Sequence, residues 1–350
     1  MSNQYQAISW NRQKRVYDLV LVTGVTLYLT LFIGVSAFLF PYTTAITLTI
    51  RAAGSAAFLL LHIVLCVGPL CRLNPKFLPL LYNRRHLGVV TFLLGAIHSV
   101  VAIRQFHSLG DKDPLVSLLT SNQDFGSLPD FPFQQLGFLA LMILFLMAAT
   151  SHDFWLRNLT PPMWKTLHML VYVGYAMLVA HVILGLLQSE TSSLLAVGTG
   201  FGLLTVITLH VAAARREAKV DSKNLGPVAD GFVNACAVSA IPEKCGTVVS
   251  VNGERVAIFK YDGKISAISN VCRHQNGPLG EGKIIDGCVT CPWHGFQYLP
   301  QDGASPPPFT EKVSTFLTRI VDGRVWIDPR PNPPGTRVEP SLISDSEVMA

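Results

Sequence analysis

The chain has 350 residues, of which 50% are hydrophobic and only 14% are charged, against about 25% charged residues in an average soluble domain. The net charge of +5 is not gathered into a basic patch interleaved with aromatic residues, so the composition gives no indication of nucleic-acid binding. Of the seven cysteines, five lack the spacing of a disulfide framework and indicate reduced thiols in a reducing compartment: Cys66, Cys71, Cys236, Cys245 and Cys288.

The first part of the chain consists of long apolar runs with few charges. Each run approaches the roughly 20 residues that cross a bilayer, and the run that begins after the basic N-terminus is too long for a signal-peptide core. The six predicted spans are residues 17–39, 52–71, 86–104, 135–151, 166–187 and 194–214, of which the fourth has the weakest bounds.

Basic residues are concentrated at one set of span ends. The opposite ends have only Arg51, Arg104 and Lys112, beside a loop at 105–134 that contains four aspartates. The positive-inside rule therefore predicts that both termini are cytoplasmic. The basic residues on the predicted cytoplasmic side are Arg12, Lys14, Arg15, Arg72, Lys76, Arg84, Arg85, Arg157, Lys165, Arg215, Arg216 and Lys219.

Histidine is the most informative residue type in the apolar part. His62, His98, His168 and His181 lie inside predicted spans, and His86 lies at the edge of one. One such histidine is as well explained by a hydrogen bond to a neighbouring helix. Several in one small bundle favour a buried cofactor, because ionisable groups in a membrane are costly and usually functional, and neutral imidazole is an axial ligand of heme iron.

The depths of these histidines form two levels. His86 and His168 each lie two or three residues past a basic span end, and His98 and His181 lie about 20 Å further along their helices at 1.5 Å per residue. This arrangement predicts two stacked b hemes, with a single heme as the alternative. Two residues thirteen apart are about 140° apart around a helix, so a bulge or kink near Gly174 is also predicted.

Two segments of the apolar part resemble a known family. "RRHLGVVTFLLGAIH" (84–98) and "TSHDFWLRNLTPPMWKTLHMLVYVGYAMLVAH" (150–181) resemble the ferric-reductase-like transmembrane superfamily, and within it the heme-binding membrane subunits of bacterial methionine sulfoxide reductase systems. The resemblance implies heme ligation by His98, His168 and His181 and a location in the bacterial inner membrane. It does not cover His86, which depends on the depth argument, and His62 is interpreted as a packing residue.

After about residue 230 the sequence changes to short alternating apolar runs. The turn pairs Asn252-Gly253 and Asp262-Gly263 separate some of these runs, which is typical of a β domain built from hairpins. The intervening segment at 216–230 is charged, contains a Gly-Pro pair and is predicted to be a linker.

Two Cys-His pairs lie in the predicted loops of this β domain, Cys272 with His274 and Cys291 with His294. Such pairs can form a zinc site or an iron–sulfur site. The segments "CRHQNGPL" and "CPWHGFQY" resemble the Rieske [2Fe–2S] signature. That resemblance implies that Cys272 and Cys291 bind one iron and that His274 and His294 bind the other.

The chain departs from the Rieske proteins of cytochrome bc complexes at three positions. Gly277 and Trp293 replace their disulfide cysteines, and Phe296 replaces a serine that donates a hydrogen bond to the cluster, while Tyr298 is kept. Fewer donors stabilise the reduced cluster less. The resemblance is therefore to the ferredoxin and oxygenase type, and we expect a potential in the lower part of the roughly −150 to +300 mV Rieske range.

Together these features predict a multi-domain membrane protein with a six-helix transmembrane heme bundle followed by an all-β Rieske domain. The predicted parts are the ferric-reductase-like transmembrane domain at 1–215, the linker at 216–230, the Rieske domain at 231–330 and a disordered tail at 331–350.

The predicted function is transmembrane electron transfer between a cytoplasmic [2Fe–2S] cluster and one or two b hemes, towards an acceptor at the outer face. A separate cytoplasmic reductase would donate the electrons, since no dinucleotide-binding fingerprint is present. The alternatives are a Rieske oxygenase, a quinol oxidoreductase, or a heme-free membrane-anchored Rieske ferredoxin. The absence of histidine after Asp328 argues against the oxygenase, which needs a second iron site.

Overall fold

The structure is a computed structural model that forms two compact units. One unit contains Arg12–Pro69 and Asn83–His210, and the other contains Leu70–Tyr82 and Val211–Ala350. The described residues are 12–343 except 82, 122, 128–129, 152–154, 156–158, 160, 190–192, 223–229, 275, 294 and 308.

Helices make up the described part of the chain as far as residue 222. They are α1 (Arg12–Leu39), α2 (Ala45–Leu73), α3 (Leu78–Leu81), α4 (Arg84–His107), α5 (Pro114–Thr120), α6 (Phe133–Ala149), α7 (Pro161–Met169), α8 (Val171–Ser189) and α9 (Ser193–Ser222). A short 3₁₀ segment, Pro75–Phe77, follows α2.

Five stretches of helix are long and apolar enough to cross a membrane: Lys14–Leu39, Ala45–Leu73, Arg84–His107, Thr166–Gly185 and Leu195–Ser222. The fourth predicted span corresponds to α6, which has only 17 residues and falls at the lower limit for a spanning helix. The predicted class, an apolar helical part followed by a β domain, is confirmed.

The helical unit is held together by apolar side chains between helices. One cluster joins α2, α6, α8 and α9 through Leu61, Leu144, Tyr175 and Val206, and another joins α2 and α4. Many apolar side chains on α1 are exposed, as expected for a helix that faces lipid.

A break at Leu170 separates α7 from α8 and lies between His168 and His181. The Leu170 N–H bonds to the Leu167 carbonyl at 3.1 Å, a tighter turn than the α-helical pattern. The chain therefore has the predicted irregularity between the two histidines, four residues before Gly174.

Among the described residues, the β domain contains eleven strands in three antiparallel sheets. In the first sheet the strand order is β1-β10-β9, in the second β11-β4-β3-β2 with β8 also paired to β4, and in the third β5-β6-β7. The strands are β1 (Val233–Ala237), β2 (Gly246–Val251), β3 (Glu254–Tyr261), β4 (Lys264–Ser269), β5 (Lys283–Ile285), β6 (Cys288–Thr290), β7 (Gln297–Tyr298), β8 (Thr315–Phe316), β9 (Thr318–Val321), β10 (Arg324–Ile327) and β11 (Ser341–Leu342).

Both predicted hairpin turns are present. Asn252 and Gly253 join β2 to β3, Asp262 and Gly263 join β3 to β4, and all four residues have positive φ. This is the geometry of a two-residue type I′ turn, which matches the twist of the strands it connects.

The segment predicted to be a disordered tail contains a strand, so that prediction is wrong for the described residues 331–343. Ser341–Leu342 pairs with β4, and the Val338 N–H bonds to the Gln301 carbonyl at 2.7 Å. The polar, proline-rich composition concealed this pairing, because β4 supplies an open sheet edge that the local sequence does not reveal. Residues 344–350 lie outside the described part.

Residues 216–230, predicted to be a linker, begin as helix. Helix α9 continues through Ser222, and residues 223–229 lie outside the described part.

Candidate redox sites

Two loops at one end of the β domain contain the predicted cluster ligands. The first follows β4 and contains Cys272, and the second joins β6 to β7 and contains Cys291. The backbone closes both loops in the same way. The Cys272 N–H bonds to the Gly277 carbonyl at 2.9 Å, and the Cys291 N–H bonds to the Phe296 carbonyl at 2.8 Å.

A second hydrogen bond repeats in each loop. The cysteine carbonyl accepts from the N–H four residues later, Asn276 in the first loop at 2.7 Å and Gly295 in the second at 2.9 Å. The last residue of each of these turns has a left-handed backbone conformation. Asn276 has a φ of 59° and Gly295 has a φ of 72°. The two loops are therefore equivalent turns that present two cysteines from matching positions.

The two loops lie against each other at Gly277. A Cβ atom at Gly277 would lie 2.6 Å from Cys291 Sγ and 3.3 Å from the Trp293 ring. No side chain fits at that position, which a disulfide cysteine occupies in the bc-type proteins. The disulfide of the bc-type proteins therefore has no counterpart here.

The thiols lie in a buried and mostly apolar setting with one hydroxyl beside them. Cys272 and Cys291 are 1% and 2% exposed, and the Tyr298 hydroxyl lies 3.4 Å from Cys272 Sγ. The Arg273 N–H donates to the same hydroxyl at 2.9 Å, which leaves the phenol proton for the sulfur. Burial, followed by the proximity of Cys272, raises the pKa of Tyr298, so the phenol stays protonated.

The predicted ligand His274 is half-buried and stacks on Phe296. The ring centroids are 4.8 Å apart and the planes differ by 6°. Phe296 also contacts Phe309 edge-on at 5.0 Å, so it is fixed by packing. Phe296 thus stands where the bc-type proteins have a serine. Its ring supports the His274 imidazole by stacking and has no hydrogen-bond donor.

The donor set fits a binuclear iron–sulfur cluster. Cys272, His274 and Cys291 are brought together by the paired loops, and His294 lies outside the described residues. Within the described part, no three His, Cys, Asp or Glu side chains are grouped as ligands of a single metal ion. A cluster does not need such a group, since it distributes its protein ligands over two irons.

In the helical unit, the structure brings together His98 of α4 and His181 of α8. Their ring centroids are 6.3 Å apart and their planes are nearly perpendicular, at 83°. The His98 Nδ1–H donates to the Ile50 carbonyl at 2.9 Å, and the His181 Nδ1–H donates to the Phe133 carbonyl at 2.8 Å.

This pair has donor atoms that would suit a heme iron. A carbonyl can only accept, so each Nδ1 carries the proton and each Nε2 keeps its lone pair for a metal. A metal–nitrogen bond is about 2 Å long. The observed separation of 6.3 Å between the ring centroids leaves room for one metal ion between the two imidazoles.

His168 has the same tautomer and an unused acceptor. Its Nδ1–H donates to the Trp164 carbonyl at 3.0 Å, and its ring stacks on Trp164 with the centroids 3.7 Å apart. Its Nε2 is buried and has no hydrogen-bond partner. Such an orphan is costly in a low-dielectric interior, which makes Nε2 a candidate ligand atom.

His86 lies beside a carboxylate. Its Nδ1 is 2.8 Å from Asp18 Oδ1, and Asn83 also donates to that carboxylate at 2.6 Å. No ring contact joins His86 to His168 within the described part, so this pair stays a prediction. Asp18 was not among the predicted functional residues, although an acidic residue inside an apolar run is a recognised signal of function.

Three other histidines in the described helices, His62, His107 and His210, have a hydrogen-bond partner at both ring nitrogens. His62 donates to the Phe58 carbonyl and accepts from the Tyr175 hydroxyl at 3.0 Å. His210, at the end of the predicted sixth span, lies 3.1 Å from the Tyr172 hydroxyl through its Nε2. These partners support the interpretation of His62 as a packing residue.

Comparisons with known families agree with both sites. The family model described as "Rieske [2Fe-2S] domain" matches residues 231–316, and "Ferric reductase like transmembrane component" matches residues 53–179. The first range contains all four predicted cluster ligands, and the second contains His86, His98 and His168 and ends before His181. The chain is thus a membrane protein with a [2Fe–2S] domain and an electron-transfer role.

The chain is similar to curated ferredoxins over the length of a small domain. It is 35% identical over 74 residues to the anthranilate 1,2-dioxygenase ferredoxin subunit of Burkholderia cepacia, covering 21% of this chain and 68% of the relative. It is 34% identical over 100 residues to the biphenyl dioxygenase ferredoxin subunit of Pseudomonas sp. (strain KKS102), covering 28% of this chain and 91% of the relative.

A chlorophyllide a oxygenase from Oryza sativa subsp. japonica is 31% identical over 98 residues, which is 27% of this chain but only 18% of the oxygenase. Among solved structures, the ferredoxin of Sphingomonas yanoikuyae B1 is 25% identical, with 29% of this chain and 98% of that chain covered and a TM-score of 0.26. The two ferredoxin subunits are more than 30% identical to this chain over more than two thirds of their length, so the chain belongs to the Rieske [2Fe–2S] family. It joins that domain to a ferric-reductase-like transmembrane component.

Proposed function

We propose that the chain transfers electrons across a membrane between a cytoplasmic [2Fe–2S] cluster and b-type heme within the helices. Net transfer would run towards an acceptor at the outer face. When bound, the cluster and the heme each accept and release one electron at a time.

The proposed cluster ligands are Cys272 and Cys291 on one iron and His274 and His294 on the other. The paired loop turns hold the cysteine backbones, and burial excludes water from both thiols. Tyr298 donates its hydroxyl proton towards the Cys272 sulfur. Phe296 supports the His274 imidazole from one face without adding a donor.

The proposed heme ligands are His98 and His181, with His168 and His86 as the candidates for a second heme. Backbone carbonyls hold the Nδ1–H groups of the first pair and so present both Nε2 atoms as neutral ligands. The observation that supports heme most directly is the 6.3 Å separation of these two imidazoles, each with Nε2 unengaged by any described hydrogen bond.

The proposed partners follow from what the two domains lack and from the names of the relatives. Two of the curated relatives are named ferredoxin subunits of dioxygenases, and another is named the ferredoxin component of a naphthalene 1,2-dioxygenase system. A separate reductase on the cytoplasmic side would therefore reduce this chain. Basic residues at alternate span ends support the cytoplasmic side of a bacterial inner membrane for residues 231–330.

The proposal is tested with the purified full-length chain by optical and electron-paramagnetic redox titration. We expect the rhombic signal of a Rieske centre together with the Soret and α bands of a b-type heme. A heme-free preparation that retains the Rieske signal would show a membrane-anchored ferredoxin instead.

Transfer between the two groups is tested by comparing the parent with Cys291→Ser, which removes a cluster ligand and leaves the helical unit unchanged. A ferredoxin reductase, which is too large to enter the bilayer, supplies electrons while the heme α band is followed. We expect heme reduction to be at least tenfold slower in the variant. Equal rates of heme reduction in the parent and in Cys291→Ser would show that electrons do not reach the heme through the cluster.

A further inference from the structure

Two glycines lie directly beneath the imidazoles of His98 and His181. A Cβ atom at Gly54 would lie 2.6 Å from His98 Nδ1, and a Cβ atom at Gly137 would lie 2.7 Å from His181 Nδ1. Both distances are well below van der Waals contact, so each imidazole occupies the space of a missing side chain.

The same backbone arrangement repeats at both glycines. His98 donates to the carbonyl of Ile50, four residues before Gly54 on α2, at 2.9 Å. His181 donates to the carbonyl of Phe133, four residues before Gly137 on α6, at 2.8 Å. Two separate helices thus bind a histidine of a neighbouring helix in the same way, through a backbone carbonyl and a glycine four residues later.

Helix geometry explains why the glycine stands four residues after the acceptor. The carbonyl of residue i already accepts from the N–H of residue i+4 inside the helix. A second donor must approach that oxygen from the side, over the turn that ends at residue i+4. A side chain there blocks the approach, and only glycine leaves the turn open.

We propose that Gly54 and Gly137 are positioning residues that seat the imidazole pair at a spacing that leaves room for one heme iron. This inference rests on the proposed function, in which His98 and His181 are the axial ligands. Each glycine lets the Nδ1–H reach a helix carbonyl, and this contact fixes both the tautomer and the orientation of Nε2.

An added methyl group cannot be absorbed by a small adjustment of the ring. The nearest imidazole atoms to the added Cβ at Gly137 are Nδ1 at 2.7 Å, Cε1 at 2.8 Å and Cγ at 3.1 Å. The whole ring would have to move away and lose its carbonyl. Loss of such an outer partner commonly weakens metal affinity about 10- to 100-fold.

The test uses Gly54→Ala and Gly137→Ala in the full-length chain. Hemin is titrated into heme-depleted protein, and the spin state is read from the Soret position and the electron-paramagnetic spectrum. We expect each variant to bind hemin at this site about 10- to 100-fold more weakly. We also expect the remaining bound heme to shift from low-spin towards high-spin as one axial ligand is displaced.

Two matched controls separate this effect from a general packing defect. Gly202→Ala places a Cβ against Nε2 of His62, a histidine outside the pair. Gly88→Ala lies on α4, the helix that contains His98, and has open space around it. We expect both controls to keep parental heme affinity, and all four variants to keep the Rieske signal as evidence of folding.

A double substitution tests whether Gly54 acts through His98. In a His98→Ala background, Gly54→Ala should cause no further loss of hemin affinity, because the displaced ring is already gone. Parental affinity and spin state in both glycine variants would overturn the inference while leaving the proposed function intact. A parent chain that binds no heme would overturn both.

Discussion

At the scale of single residues, Tyr298 lies beside a proposed cluster ligand. Its hydroxyl lies 3.4 Å from Cys272 Sγ and is oriented by the Arg273 N–H. Such a donor favours the reduced cluster, because reduction adds negative charge that spreads onto the sulfurs.

We predict that Tyr298→Phe lowers the reduction potential of the cluster by roughly 40–60 mV. This corresponds to the loss of one hydrogen bond of about 1 kcal/mol in a one-electron couple. Electron-paramagnetic redox titration measures the shift. Tyr261→Phe is the matched control, since that buried hydroxyl bonds to Ser266 Oγ. An unchanged potential in Tyr298→Phe would show that the hydroxyl proton does not reach the sulfur.

At the scale of elements, the break between α7 and α8 separates His168 from His181. Leu170 interrupts the helix after His168, whose Nε2 is left buried and without a partner. The His86–Asp18 contact is a carboxylate–imidazole pair, which elsewhere raises the basicity of a metal-bound histidine.

We predict that the parent binds two hemes and that His168→Ala or His86→Ala removes one. His98→Ala or His181→Ala should remove the other. His62→Ala is the control, because both nitrogens of His62 are already hydrogen-bonded to protein groups. Pyridine hemochrome stoichiometry measures each variant. If the parent binds one heme and neither His168→Ala nor His86→Ala affects it, the protein has a single heme site, at His98 and His181.

The end of α9 is attached to the β domain by an arginine fork. Arg255 of β3 donates to both carboxylate oxygens of Asp221, at 2.7 and 2.6 Å, and also pairs with Glu217. The fork needs ionised carboxylates, so it is intact at neutral pH and is lost when the carboxylates are protonated at low pH.

We predict that Arg255→Ala speeds amide hydrogen exchange at residues 211–222 several-fold at pH 7. At a pH low enough to protonate the carboxylates, and after correction for intrinsic exchange rates, the parent and the variant should approach each other. Exposed ion pairs contribute only about 0.2–1 kcal/mol each, so a modest effect is expected. Arg337→Ala, which breaks an exposed pair with Glu339, should leave this segment unchanged. Equal protection in the parent and Arg255→Ala at pH 7 would contradict the attachment.

At the scale of the whole molecule, the distribution of basic residues predicts the membrane orientation. Alkaline phosphatase fused after Ala350 should be inactive, because the enzyme needs the oxidising outer compartment to form its disulfides. A fusion within residues 111–130 should be active. The opposite pattern would place the cluster outside and reverse the proposed route.

The sequence alone determined the class and most of the site. Apolar runs of bilayer length, type I′ turn pairs and Cys-His pairs at fixed spacing are local signals, since each depends on residues close together in the chain. The sequence also predicts that the histidines lie at two depths in the membrane, because helical rise converts residue number into distance.

Only the tertiary structure decided which histidines face each other and what holds them. The His98–His181 pair, its carbonyl partners on α2 and α6, and the glycines beneath the rings come from four separate helices. The pairing of Ser341–Leu342 with β4 likewise depends on a partner more than seventy residues away. These features arise from long-range packing, and side chains that meet only after folding leave no periodic signal in the sequence.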